Sequence, residues 1–148
     1  MKTAAIKYLM LTVFLFSLSC SEDITTLAEI KEKLIGEWEW VQSEGGLSGT
    51  EVLTPETTGI YRYIKFNEKD TVLVWENNEN VQTTSYCLQR EESILKNRES
   101  IILTINYKYF NNNDTIILPM RYIIVKIGRT LILEEDVYDG YKHWYTRL

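Results

Sequence analysis

The chain has 148 residues, with 21 acidic against 16 basic side chains and a net charge of −5 at pH 7. Its length suits one domain, and its acidic balance excludes the basic footprint by which proteins hold nucleic acid. It holds two cysteines and one histidine, so it has few residues for thiol or imidazole chemistry.

The amino terminus has three zones. Residues 1–7 carry Lys2 and Lys7 and no acid, residues 8–18 are apolar apart from Thr12 and Ser17, and Ser19-Cys20 closes the run. This charged, apolar, small-residue order is that of a secretory signal. The apolar stretch is about a dozen residues, short of the roughly 20 that span a bilayer as a helix. Ser19 supplies the small residue that the lipoprotein signal peptidase needs before a cysteine. The place three before Cys20 holds Ser17 where that pattern usually has Leu, and Leu18 follows it. The alternative is an ordinary signal with an incidental Cys20. We read residues 1–19 as a lipoprotein signal, Cys20 as the lipidation site, 20–26 as a lipidated tether and 27–148 as one domain. Losing Lys2 and Lys7 with the signal takes the net charge from −5 to −7. Acyl chains, not basic side chains, must then hold the protein to a membrane. Only Cys87 remains, too few for an internal disulfide; it lies in a strand-like run and reads as a small buried hydrophobe.

Thr26-Leu27-Ala28-Glu29 has capping-box spacing, and Leu27, Ile30 and Leu34 share a helical face, which predicts a short helix over 26–34 ended by Gly36. Period-two patterns follow. Trp38 and Trp40 alternate with Glu37 and Glu39 in a first strand over 37–42. A Gly/Ser loop covers 44–50, and Pro55 marks a second loop. Further strands are expected at 60–66, 71–75, 81–90 and 100–109, with a longer polar connection over 91–99. Asn111-Asn112-Asn113-Asp114 is a turn, and 115–127 is a strand bent near Pro119. Gly128-Arg129 turns into a strand at 130–135, and Asp139-Gly140 turns into the last strand, 141–148. About eight strands joined by short turns must be antiparallel. Closing them into an up-and-down barrel removes the exposed edges. The expected fold is therefore an all-β, roughly eight-stranded antiparallel barrel with a short N-terminal helix.

The helix followed by Gly36-Glu37-Trp38 resembles the Gly-x-Trp opening of lipocalins and related calycins, and Tyr145-Thr146-Arg147 resembles their close. The resemblance implies that Trp38 packs at the closed base of a barrel under an arginine from the last strand. Arg147 is the best match, with Arg121 and Arg129 as rivals. Cys20, Gly36-x-Trp38-x-Trp40 and Gly45-Gly46 together look like the lipocalin-like lipoproteins of Bacteroidetes-type bacteria. Ser21-Glu22-Asp23 resembles the acidic tag that sends such lipoproteins to the outer face of the outer membrane. Asp70-Thr71-Val72 and Asp114-Thr115-Ile116 resemble their O-glycosylation motif, which would place glycans on Thr71 and Thr115 at turns.

Little catalytic chemistry is legible. There is no phosphate loop, and no His or Cys spacing suits a metal. Glu134, Glu135, Asp136 and Asp139 could offer oxygens to calcium, but they lack a calcium loop's spacing and read as a solvated turn. His143 has no evident partners. We expect no enzyme, no cofactor and no metal. The aromatic supply, ten tyrosines and four tryptophans, suits either plain strand composition or a lined cavity. Trp40, Ile64, Phe66, Leu103, Ile105, Tyr107 and Tyr145 are the candidate lining residues, beside Trp38 at the base. The expectation is a surface-exposed, lipid-anchored outer-membrane protein binding a small apolar ligand. The alternative is a partner-binding accessory or inhibitor module using long loops at 44–59 and 91–99. Replacing Cys20→Ala should leave unprocessed, unlipidated protein in a metabolic lipid-labelling experiment; normal labelling of that variant would refute the anchor assignment.

Overall fold

The computed structural model describes residues 26–111 and 114–148; the signal, Cys20 and most of the tether lie outside them. The elements are α1 (Leu27–Leu34), β1 (Gly36–Gly45), β2 (Glu51–Leu53), α2 (Pro55–Thr58), β3 (Arg62–Phe66), β4 (Thr71–Glu76), β5 (Glu79–Glu92), β6 (Glu99–Asn111), β7 (Asp114–Lys126), β8 (Thr130–Glu135) and β9 (Tyr141–Arg147). Every neighbouring pair is antiparallel. The order β1-β3-β4-β5-β6-β7-β8-β9 returns to β1, so eight strands close a barrel, with β2 beside the upper half of β1. Trp38, Ile64, Phe66, Val72, Leu103, Leu131 and their neighbours fill its lower interior in mutual contact.

The base is closed by α1. Thr26 caps it, and the Thr26–Glu29 capping box satisfies two orphan N–H groups. Ile30 and Leu34 are buried, and the Trp38 indole N–H donates to the Leu34 carbonyl at 2.8 Å. The Arg147 guanidinium lies 4.9 Å from the centre of the Trp38 ring and donates to the carbonyls of Lys33 (2.8 Å) and Ile35 (2.7 Å). One side chain from the last strand thus ties together the first strand and the C-terminal end of the helix, where a cation is favoured. Gly36 makes room for it. Its φ is +134°, and a Cβ there would sit 2.8 Å from Arg147 Nη2.

Two irregularities shape the upper barrel. In β1, Trp40 pairs with Tyr145 and Gln42 with Trp144, leaving Val41 as a one-residue bulge. Since inward and outward positions alternate, the slip changes parity. Trp38 and Trp40 face inward below it, and Ser43 faces inward above it. In the opposite wall, β5–β6 pairing stops at Tyr86↔Ile105. Above that point side chains bridge the strands. Gln82 donates to the Lys108 carbonyl (2.7 Å) and accepts from its N–H (3.3 Å), and Thr84 donates to the Asn106 carbonyl. On the other side, β7–β8 pairing begins at Tyr122↔Glu135. Residues 106–111 and 114–120 therefore pair only with each other along their backbones, among the described residues, as a two-stranded ribbon rising from the rim.

The structure corrects four expectations. The ladder of β7 is not interrupted at Pro119, which pairs in register with Asn106; its irregularity falls between Ile124 and Lys126. Because the Asn106 carbonyl points to β5, the nitrogen of Pro119 faces the ribbon's open edge, where no N–H is required. The connection expected over 91–99 is shorter, residues 93–98, since β5 runs to Glu92 and β6 starts at Glu99. The 44–59 loop is partly ordered as β2 and α2, with Pro55 in the first turn of α2. Cys87 is exposed, because its neighbour Tyr86 takes the inward position.

Arg147→Ala should destabilise the barrel by about 1–2 kcal/mol, the exposure of the guanidinium limiting the loss. Gly36→Ala should cost at least as much through strain at positive φ. Because the two residues share one space, the double variant should lose less than the two single losses added together. Urea unfolding of all four proteins measures this, and strict additivity would refute the shared-space account.

Candidate functional site

The upper interior differs in chemistry from the base. Arg62, at the start of β3, donates to Glu76 through Nε (2.8 Å) and Nη2 (2.5 Å), and its guanidinium carbon lies 5.6 Å from the Trp40 ring centre. Burial alone would lower its pKa, but the phenols of Tyr145 and Tyr107 and the carboxylate of Glu76 raise it instead, so the site keeps a fixed cation. Tyr145 and Tyr107 lie beside it, and Tyr122 hydrogen-bonds Tyr107. Burial pushes all three phenols up, so they are neutral hydrogen-bonding groups.

On the β1/β9 side, Ser43 and His143 are cross-strand partners. Ser43 Oγ lies 2.7 Å from His143 Nδ1 and accepts from the Trp40 indole N–H at 2.9 Å. His143 Nε2 lies 3.3 Å from Glu135 Oε1, while Glu135 Oε2 accepts from the Tyr141 N–H at 2.9 Å. Burial would raise the Glu135 carboxyl, but the hydrogen bonds from His143 and the Tyr141 N–H outweigh it and hold the group below its usual range. An ionised Glu135 draws the imidazole proton to Nε2 and leaves Nδ1 to accept from Ser43. The result is a hydrogen-bonded chain, Trp40–Ser43–His143–Glu135. The Tyr122 ring meets His143 edge-on at 5.9 Å. A cleft of about 410 Å³ at the rim meets the chain at Glu135 and runs on past Glu44, Glu134, Lys142 and Trp144. Glu51 bonds the Tyr141 hydroxyl at its rim.

The opposite side of the mouth is apolar. Cross-strand pairs share a face, so the pairs Ile105–Met120, Tyr107–Leu118 and Tyr109–Ile116 continue the inner surface of the barrel up the ribbon. Met120 and Tyr107 pack on the core, whereas Leu118, Ile116 and Tyr109 stand 47%, 43% and 49% exposed. Phe110 and Ile117 occupy the ribbon's other face.

Of the lining residues nominated from sequence, Ile64, Phe66, Leu103 and Ile105 are core filling, Trp40 and Tyr145 are buried beneath the mouth, and Tyr107 reaches it. Thr71 follows the turn after β3 and is half-buried; Thr115 is exposed near the ribbon tip. Asp136 is not a solvated turn residue but fully buried. It accepts from the Ser93 hydroxyl (2.6 Å) and the Leu95 N–H (3.1 Å) and pairs with Arg121 at 3.0 Å, tying the 93–98 turn to the wall. Arg121 also holds Glu91, so this rival for the base position is engaged elsewhere. Among the described residues, no group of three or more His, Cys, Asp or Glu is placed to hold a metal. The Ser43–His143–Glu135 chain was missed because it depends on the Val41 bulge, and alternation read straight through would turn Gln42 inward.

Fold and site define a closed eight-stranded antiparallel barrel with a helix-sealed base and a half-polar, half-apolar open end. No protein-family model, curated protein or solved structure matches the chain.

Burial would raise the Asp136 carboxyl, but hydrogen bonds from Ser93, the Leu95 and Ile94 N–H groups and Arg121 hold it below its usual range. A depressed carboxyl stabilises the fold above its unfolded pKa and loses that contribution as pH falls through the folded value. Asp136→Ala should cost about 2–4 kcal/mol at pH 7 by leaving these donors unpaired. That difference should shrink as pH drops below about 4, as read by denaturant midpoints across pH; a cost that stays constant with pH would refute it.

Proposed function

We propose that this chain is a lipocalin-like lipoprotein, anchored through Cys20 at the outer face of the outer membrane, whose barrel mouth binds a small ligand with an apolar body. One observation carries the ligand reading. The inner surface of the barrel does not end at the rim but continues along Met120, Leu118 and Ile116 into solvent. Exposed apolar surface rimmed by polar groups is the usual mark of a binding site. The base is packed with side chains, so the ligand lies at the mouth, its apolar part on the ribbon and its polar end toward Arg62, the tyrosines and His143. The anchor rests on the order of residues 1–20. Ser21-Glu22-Asp23 supports the outward address, and glycans on Thr71 and Thr115 belong to the same reading.

A second reading, a partner-binding module, is favoured by Phe110, 83% exposed, and Ile117 on the outer face of the ribbon. One experiment separates the two. Titration with the dye 1-anilinonaphthalene-8-sulfonate should saturate at one site, and Leu118→Ser should weaken binding about tenfold. Phe110→Ser should leave dye affinity unchanged. Absence of saturable binding, or indifference to Leu118→Ser, would remove the ligand reading.

A further inference from the structure

The Ser43–His143–Glu135 chain places a hydroxyl, a base and a carboxylate in sequence at the polar side of the mouth, with Tyr122 running from His143 to the foot of the apolar stripe. A hydroxyl in a barrel wall needs only one acceptor, and a backbone carbonyl would serve. Here the acceptor is an imidazole nitrogen at 2.7 Å whose opposite nitrogen faces an ionised carboxylate, itself fixed by a main-chain N–H. That arrangement makes a serine oxygen nucleophilic: the base takes its proton and the third group orients the base and stabilises its cation. Either ring nitrogen can serve as the base, since neutral imidazole has one acceptor wherever the other carries the proton. Ser43 is 3% exposed, so attack is confined to a group entering from the mouth.

We propose that Ser43 is a nucleophile and that the mouth hydrolyses carboxylic esters whose acyl chain lies along the ribbon, a reading that rests on the apolar-ligand site for its substrate class but not for its chemistry. Ser43 Oγ bonds to the ester carbonyl carbon as its proton passes to His143 Nδ1, and the carbonyl electron pair moves onto oxygen. The pair returns, the bond to the alcohol oxygen breaks, and the alcohol leaves with the proton from Nδ1. Water repeats the sequence on the acyl-serine, releasing the carboxylic acid and restoring Ser43. The Trp40 N–H, 2.9 Å from Oγ, is the donor assigned to the oxyanion, since acylation makes Oγ a weaker acceptor. Glu135 is a positioning residue.

The test treats purified protein with a small fluorophosphonate and locates the adduct by peptide mass spectrometry. It also follows hydrolysis of p-nitrophenyl acetate and octanoate. Ser43 should carry the label, slowly because it is enclosed. Ser43→Ala should abolish labelling and lower hydrolysis about 100-fold or more. Glu135→Gln should lower kcat about tenfold and move the pH of half-maximal labelling downward, a change that simple loss of packing would not produce. Octanoate should exceed acetate in kcat/KM about tenfold, and Leu118→Ser should erase that preference. A near-UV circular dichroism spectrum matching wild type reports that Ser43→Ala is folded. An unlabelled Ser43 in wild-type protein that binds dye overturns this inference and leaves the ligand reading standing. A labelled Ser43 with no dye binding and no chain-length preference supports the nucleophile and overturns the acyl-chain assignment.

Discussion

The barrel depends on its last strand being held to its first, and one arginine does much of this. Main-chain pairing from Trp38↔Arg147 to Gly45↔Tyr141 closes the cylinder, but pairing alone leaves the base open. The Arg147 side chain reaches past the strand end to two carbonyls of the α1 terminus while lying over Trp38. It thereby sets where the helix sits as well as where the cylinder closes. Gly36 belongs to the same device, because any side chain there would occupy the space the guanidinium needs. The lower interior is then filled with apolar side chains, and the polar groups gather at the other end.

At that other end a single extra residue decides the outcome. Val41 shifts the inward parity of β1, so that the ladder delivers two tryptophans below and a serine above. β9 has no matching slip, and its inward positions 141, 143 and 145 bring His143 against that serine. β8 supplies Glu135 from the level of Tyr122. The polar side of the mouth is therefore assembled from β1, β7, β8 and β9, which the closure of the barrel brings together.

Much of the architecture was legible because it is written in local signals. The capping box of α1, the alternation around Trp38 and Trp40, and the Asp-Gly turn each point to one local structure, and closure follows from counting strands and removing edges. The Gly36–Trp38–Arg147 grouping came from a resemblance, and the geometry supplies its physical reason. What sequence could not give is whatever depends on register. Ser43 and His143 lie 100 positions apart in the chain, and His143 and Glu135 lie 8 apart; the three meet only through a bulge that no residue type announces. Asp136 looked like a turn carboxylate because its partners, Ser93, Leu95 and Arg121, are all remote. Pro119 looked like a bend because its sequence says nothing of which strand edge lies open.

The side-chain bridge between β5 and β6 gives the two halves of the molecule different mechanical character. Below Tyr86 the wall is a continuous main-chain ladder; above it, the side chains of Gln82 and Thr84 bridge two backbones that no longer pair. Side-chain amides change rotamer on far shorter timescales than a ladder unzips. The upper wall is fastened by side chains where the lower wall is laced by backbone, so a single substitution at Gln82 or Thr84 removes a link between the two strands, as no single side-chain change could do in the ladder below.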